Sequence, residues 1–186
     1  MKNIVFDLDD TLWNLNKHAC ELTGINYEKL TTFYASENNL LTNEEKIKLL
    51  NIYQNPILWK DITLLDKAKD IHLLECLADD IKVYIISNCM NDRVKDYKRS
   101  FLSNIFNLPE DQIILNVTQE PKKVLEDTYI FVDDSPYNVM QSKAKYTIIP
   151  NKPWNQNIKN PNTNLFRFNN FNSILQFIIL IIIGNQ

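Results

Sequence analysis

The chain has 186 residues, 45% of them apolar and 23% charged, with a formal net charge of -3. Such a length buries a sizeable core in one domain with at most a small inserted module, and such a composition excludes a disordered chain. The slight negative charge, without any Lys/Arg-rich run, excludes an electrostatic footprint for a nucleic-acid polymer, so any nucleic-acid-related substrate is small.

The opening stretch, residues 2 to 13, organises the rest. Its apolar run Ile4-Val5-Phe6 predicts a buried strand, and the run stops at Asp7-Leu8-Asp9-Asp10-Thr11. Carboxylates belong at the carboxyl end of such a strand, where an open parallel sheet leaves a crevice for ligands. Alternate residues leaving an extended segment aim Asp7 and Asp9 at one small volume, a geometry that suits a divalent cation.

Residues 14 to 63 read as helices. Leu15, Ala19 and Leu22 recur at helical spacing, as do Tyr27, Leu30 and Tyr34. Thr42-Asn43-Glu44-Glu45 has capping-box spacing before Ile47, Leu50 and Tyr53, and Pro56 ends the run. Such an insert is either a lid over the crevice or one more layer of core helices. Asp66 to Ala78 predicts another helix, with Ala68, Ile71, Leu74 and Ala78 on one face. It feeds a second β-branched strand, residues 81 to 87, ending in Ser87-Asn88.

Residues 91 to 106 predict a helix and Ile113 to Leu115 a short strand, followed by a loop holding Lys122 and Lys123. Residues 128 to 139 form a further strong strand that ends in Asp133-Asp134, with a helix start at Ser135-Pro136. Two strands each delivering a pair of acids to one sheet edge need compensation. Unit charges ~4 Å apart repel by about 4 kcal/mol at an effective dielectric of ~20. A cation resolves the conflict, and magnesium suits hard oxygen ligands while keeping waters for a substrate phosphate. His18 and His72 lie on predicted helices away from these acids, so no zinc cluster competes.

The apolar segment from Phe171 to Ile183 is too short for the ~20 residues that span a bilayer. It predicts a closing helix or strand on the sheet, with a homodimer surface as the alternative if exposed. Cys20, Cys76 and Cys89 form neither a CxxC pair nor an even set and read as thiols in a reducing compartment. A strand beginning at the second or third residue leaves no room for a signal peptide, so the expected location is cytoplasmic. Gly24 and Gly184 are the only glycines, which excludes every Gly-rich phosphate loop.

Asp7-Leu8-Asp9-Asp10-Thr11, the strand-borne Ser87, the Lys122-Lys123 pair and Asp133-Asp134 resemble, in order, the four motifs of the haloacid dehalogenase (HAD) superfamily, which is mostly magnesium-dependent phosphatases. The resemblance implies a Rossmann-like α/β core with a parallel sheet (residues 1–13 and 64–186) and a small all-helical cap (14–63). It implies Asp7 as nucleophile and Asp9 as general acid and base. Ser87 and Lys122 or Lys123 would hold the phosphoryl group, and Asp7, Asp9 through its carbonyl, Asp133 and Asp134 would ligate magnesium. Within the superfamily the chain looks most like the 5'(3')-deoxyribonucleotidases. The matches are Pro56-Ile57-Leu58-Trp59, the LPEDQIIL stretch, the short gap from lysine to Asp133 and Pro153-Trp154-Asn155. Asp10 departs from that family, which has glycine there, as does Ser87-Asn88-Cys89. The substrate implied is a nucleoside monophosphate, with Trp13, Phe33, Tyr34, Trp59, Asn88 and Trp154 as candidate contacts to the base or pocket rim. Another small phosphoester, a phosphoprotein, or a catalytically idle binding module are the alternatives.

Overall fold

The apolar, β-branched runs become the strands. β1 (Lys2–Asp7), β2 (Ile81–Cys89), β3 (Ile113–Val117), β4 (Thr128–Val132), β5 (Tyr146–Pro150) and β6 (Leu165–Phe168) form one sheet in the order β3-β2-β1-β4-β5-β6. All its pairings are parallel. The structure, a computed structural model, describes residues 1–117, 125, 127–158 and 164–184. From β1 the chain steps outward through β2 and β3, then returns to the other side of β1 and steps outward again through β4, β5 and β6. This reversal makes the β1/β4 boundary a topological switch point, where open α/β sheets bind ligands beyond the strands' carboxyl ends. The register brings the acids level: Phe6 pairs with Val132 and Asp7 with Ile86. Asp133 and Ser87, each one residue further on, therefore flank the end of β1.

Alternation along the strands sorts the apolar residues onto two faces. Ile4, Phe6, Val83, Ile85, Ile130 and Val132 join the larger core cluster, and Val5, Ile86 and Phe131 form a smaller one. The larger face is covered by α3 (Asp92–Ile105), by a 3₁₀ segment (Ala68–Leu77) and by the C-terminal helix. The sequence pattern predicted an α-helix for the 3₁₀ segment. Its buried residues Ala68, Ile71 and Leu74 recur every three positions, which is the 3₁₀ period rather than the α period. α4 (Pro136–Gln141) follows β4, and the C-terminal segment is a helix, α5 (Phe171–Gly184). Phe171 meets Phe6 at 6.1 Å between ring centroids. Ile174, Ile178 and Ile182 of α5 are buried, whereas Leu180 and Ile183 face solvent. No helix among the described residues is long and apolar enough to cross a membrane.

The segment between β1 and β2 carries α1 (Leu15–Thr23), α2 (Asn43–Tyr53) and short 3₁₀ turns at Tyr27–Lys29, Ala35–Glu37 and Pro56–Trp59. The capping box that starts α2 is formed on both sides. Thr42 Oγ1 accepts from the Glu45 N–H at 3.2 Å, and the Glu45 carboxylate accepts from the Thr42 N–H at 2.8 Å. The chain leaves and rejoins the sheet at one place, because the Leu65 N–H donates to the Leu12 carbonyl at 2.9 Å and Trp13 bridges antiparallel to Leu64. All three cysteines are free thiols.

Candidate active site

Three carboxylates converge where the topology reverses. Asp7 ends β1, and Asp133 and Asp134 follow β4 directly. All three are buried, and one oxygen of each lies within 4.8 Å of the others. Each is held from behind by its own local structure. Thr11 Oγ1 donates to Asp7 Oδ2 at 3.4 Å. Asp133 Oδ1 accepts from the Ser135 N–H at 2.8 Å and Oδ2 from the Asn138 side chain at 2.9 Å, both within the start of α4. Asp134 Oδ2 accepts from the Trp154 indole N–H at 2.8 Å, while its carbonyl accepts from Asn155 Nδ2 at 2.9 Å. Arg167 of β6 in turn donates to Asn155 Oδ1 at 2.7 Å.

Burial, with Asp7, Asp10 and Asp133 close by, pushes the Asp134 carboxyl well above the ordinary range. Three buried carboxylates at this spacing repel one another unless a cation joins them. Hard oxygen donors from two strands fit a small divalent ion such as magnesium.

The Asp9 carboxylate stands apart from this triad. Its Oδ1 accepts from the Trp13 indole N–H at 2.9 Å, and its Oδ2 meets Lys98 Nζ at 2.5 Å and Ser87 Oγ at 3.2 Å. Of the roles foreseen for Asp9, metal ligation therefore falls outside its side chain. Lys98 is the residue that sequence reasoning missed. It lies on α3 with its side chain 1% exposed, and it donates to Ser87 Oγ at 2.9 Å and to the Asn88 carbonyl at 3.2 Å. A buried ammonium persists only when paired, and here Asp9, Ser87 and Asn88 share it. Its sequence signal is positional: Val94, Lys98 and Leu102 are the buried residues of α3, so a charge sits in the apolar stripe.

The remaining residues singled out from the sequence divide between two kinds of place. Trp13 is fully buried, with its ring against Phe101 at 5.6 Å and its N–H given to Asp9, so it supports the acid and offers no stacking face. Trp154 likewise lies buried behind Asp134 and does not form the pocket rim foreseen for it. Trp59 is buried beneath Lys98, whose Nζ is 5.1 Å from the ring centroid. Asn88 contributes its carbonyl to Lys98. Phe33 and Tyr34 sit together on the inserted segment, with centroids 5.1 Å apart. Lys122 and Lys123 lie outside the described residues.

Asp10, where the resemblance expects glycine, has a φ of 59°, the left-handed region that favours glycine. Its carboxylate turns toward the inserted segment and accepts from the Asn16 N–H at 3.1 and 3.2 Å, capping the start of α1. Burial, reinforced by Asp9 and Asp7 and partly offset by Lys152 and the Asn16 N–H, pushes Asp10 up to about 7. Tyr53 of α2 donates to the Asn16 side chain, so one hydrogen-bonded path joins the strand end to both helices of the insert.

Neither a protein-family model nor a curated protein matches the chain. Solved structures do. A HAD hydrolase of family IA, variant 3, from Entamoeba histolytica aligns with a TM-score of 0.55 at 19% identity, over 99% of this chain and 100% of that one. A haloacid dehalogenase-like hydrolase from Streptococcus pneumoniae aligns with a TM-score of 0.56 at 14% identity, over 95% and 98% of the two chains. A Bacillus subtilis HAD-hydrolase bound to magnesium aligns with a TM-score of 0.51 at 15% identity, over 95% and 98%. At these identities the likeness is one of architecture, and the chain has the α/β fold of the HAD-superfamily hydrolases.

Proposed function

We propose that the chain is a magnesium-dependent phosphomonoesterase acting on nucleoside monophosphates, deoxyribonucleotides foremost, through an aspartyl-phosphate. The observation that carries this reading is the separation of two groups across one crevice. The triad Asp7, Asp133 and Asp134 is matched to a cation, and a distinct Asp9–Lys98–Ser87 cluster is matched to proton transfer and anion binding. Both a nucleophilic carboxylate and a proton donor are then within one site, which splits hydrolysis into two displacements.

In the first displacement an Asp7 oxygen attacks phosphorus as the bond to the leaving alkoxide breaks. Thr11 holds the other side of that carboxylate. Asp9, oriented by Lys98 at 2.5 Å, delivers the proton that the departing oxygen takes. In the second, Asp9 accepts a proton from the water that attacks the phosphorus of the acyl phosphate, releasing phosphate and restoring Asp7. Lys98 spends its donors on Asp9, Ser87 and the Asn88 carbonyl, which positions the Ser87 hydroxyl and the Asp9 carboxylate toward the phosphoryl group. Magnesium, when bound, supplies neutralisation of the charge gathered on Asp7 and the phosphoryl group.

A carboxylate nucleophile also displaces halide from carbon, and dehalogenases occur among the chain's structural neighbours. That reaction gives no use to three buried carboxylates that require a cation, which favours phosphoryl transfer. The test is phosphate release from an aryl phosphate and from dUMP with and without magnesium. Magnesium-dependent release that Asp7→Asn lowers by about 10³-fold or more supports the reading. Release that is independent of magnesium, or that survives in Asp7→Asn, contradicts it.

A further inference from the structure

The chain has three tryptophans, and each meets a charged group of the site. Trp13 and Trp154 spend their indole N–H groups on Asp9 and Asp134, at 2.9 and 2.8 Å. Trp59 does not. It is 2% exposed, and its Nε1 is buried with no hydrogen-bond partner among the described residues. A buried indole ordinarily finds an acceptor, so something other than the N–H fixes this ring. The Lys98 ammonium lies 5.1 Å from the ring centroid, inside the ~6 Å over which a cation is drawn to a π face. Each partner is held from its own side. Asn55 Oδ1 accepts from the Ile57 N–H at 3.1 Å, and Pro56 opens the turn that ends in Trp59. On α3, Asn91 Oδ1 accepts from the Val94 N–H at 2.9 Å while its Nδ2 donates to the Gln54 carbonyl at 3.2 Å. One side chain thus fastens the insert to the helix that carries Lys98.

Lys98 has three N–H donors, and Asp9, Ser87 and the Asn88 carbonyl take all three. Its four-carbon stem is flexible, and water reaching the ammonium would compete for those donors. An aromatic wall keeps water away and attracts the cation where it stands. We propose that Trp59 is a positioning residue for the reaction: its ring face holds the Lys98 ammonium, and Lys98 in turn orients the Asp9 carboxyl toward the departing oxygen. This rests on the phosphomonoesterase reading. Trp59 acts through Lys98 and Asp9 rather than on the substrate, so its effect depends on how much the leaving group needs a proton. In the first displacement the phosphorus–oxygen bond breaks, its electron pair goes to the departing oxygen, and the Asp9 proton joins that pair. A 4-nitrophenolate departs readily without the proton; the more basic phenolate gains by it.

The experiment measures kcat/KM, which reports the first displacement, for phenyl phosphate and 4-nitrophenyl phosphate with magnesium, in wild type, Trp59→Phe and Trp59→Met. Both substitutions shrink the side chain, but only Trp59→Phe keeps a π face. Expected in Trp59→Met is a loss of about tenfold for phenyl phosphate and less than about threefold for 4-nitrophenyl phosphate, with Trp59→Phe between it and wild type. Acetylation by acetic anhydride, mapped by mass spectrometry, reads Lys98 without turnover. Lys98 should resist it in wild type and react several-fold faster in Trp59→Met than in Trp59→Phe. Equal losses for the two phosphates, or Lys98 acetylation that both substitutions raise alike, follow from a cavity alone; either overturns the positioning role and leaves the phosphomonoesterase reading in place. Absence of hydrolysis of both phosphates by wild type overturns that reading, and the positioning role with it.

Discussion

Removing the Lys98 ammonium leaves Asp9 and Ser87 in a buried crevice without the cation that lies 2.5 and 2.9 Å from them. Breaking a buried ion pair from one side costs about 3–5 kcal/mol, because the surviving charge is left uncompensated. Lys98→Met is therefore expected to lower stability in urea by roughly that amount and phosphate release by about 10²-fold or more. The double variant Asp9→Asn/Lys98→Met should regain much of the stability and none of the activity, a non-additivity that a double-mutant cycle measures. Additive losses would show that the two side chains do not act as a pair. Asp7, Asp133 and Asp134 were readable because acids interrupt strong apolar runs. Lys98 was not, since its neighbours Asp92, Arg93, Lys95, Asp96 and Arg99 make the helix look solvated all round. Only the i, i+4, i+8 spacing of Val94, Lys98 and Leu102 betrays it. The places of Trp13 and Trp154 are hidden for a related reason: sequence shows a ring but not where its N–H is used.

At the scale of the element, Asp10 joins the end of β1 to the start of α1 at a backbone conformation that favours glycine. Its folded value of about 7 lies above the ordinary 3.8, so the folded state binds the proton more tightly than the unfolded one. Its contribution to stability is then fully present below the unfolded value and is lost as pH rises through about 7. The loss at pH 8 amounts to up to roughly 4 kcal/mol, on the order of 10 °C in Tm for a chain of this size. Asp10→Asn keeps an acceptor for the Asn16 N–H, tolerates positive φ and carries no charge. Without metal, this variant should melt several degrees above wild type at pH 8 and close to it at pH 4.5. A variant less stable than wild type at pH 8 would contradict the assignment.

The elements themselves were legible in proportion to their apolar length. β1, β2 and β4 hold strong runs of β-branched and aromatic residues, and the helical reading of residues 14–63 matches α1 and α2, whereas the helix expected around Tyr27, Leu30 and Tyr34 shrinks to 3₁₀ turns at Tyr27–Lys29 and Ala35–Glu37. β5 and β6 went unread. They are only five and four residues long, set among asparagines and ending in Pro150 or holding Arg167, and pairing with a neighbour rather than local pattern makes them strands. Ala68–Leu77 packs against β2 and α5, and only the three-residue spacing of Ala68, Ile71 and Leu74 marks it as 3₁₀ in the sequence.

Across the whole molecule, the fold concentrates negative charge at its topological switch point and leaves a cation to balance it. Protonation of raised carboxyls such as Asp134 relieves the same repulsion at low pH. Magnesium should therefore raise Tm, and by more at pH 8 than at pH 5, because protons and the ion compete for the same oxygens. Asp133→Asn should abolish most of the difference. Equal shifts at both pH values would place the ion away from these acids.

The proposed chemistry requires β1 and β4 to bring their acids to one ion, with an Asp7 oxygen free to take a phosphoryl group. A crystal structure with magnesium and fluoroberyllate, a mimic of a phosphoryl group on a carboxylate, tests this. Fluoroberyllate is expected on an Asp7 oxygen, with one magnesium ion shared by Asp7 and Asp133. An Asp7 left unmodified, with the ion bound elsewhere, would contradict it.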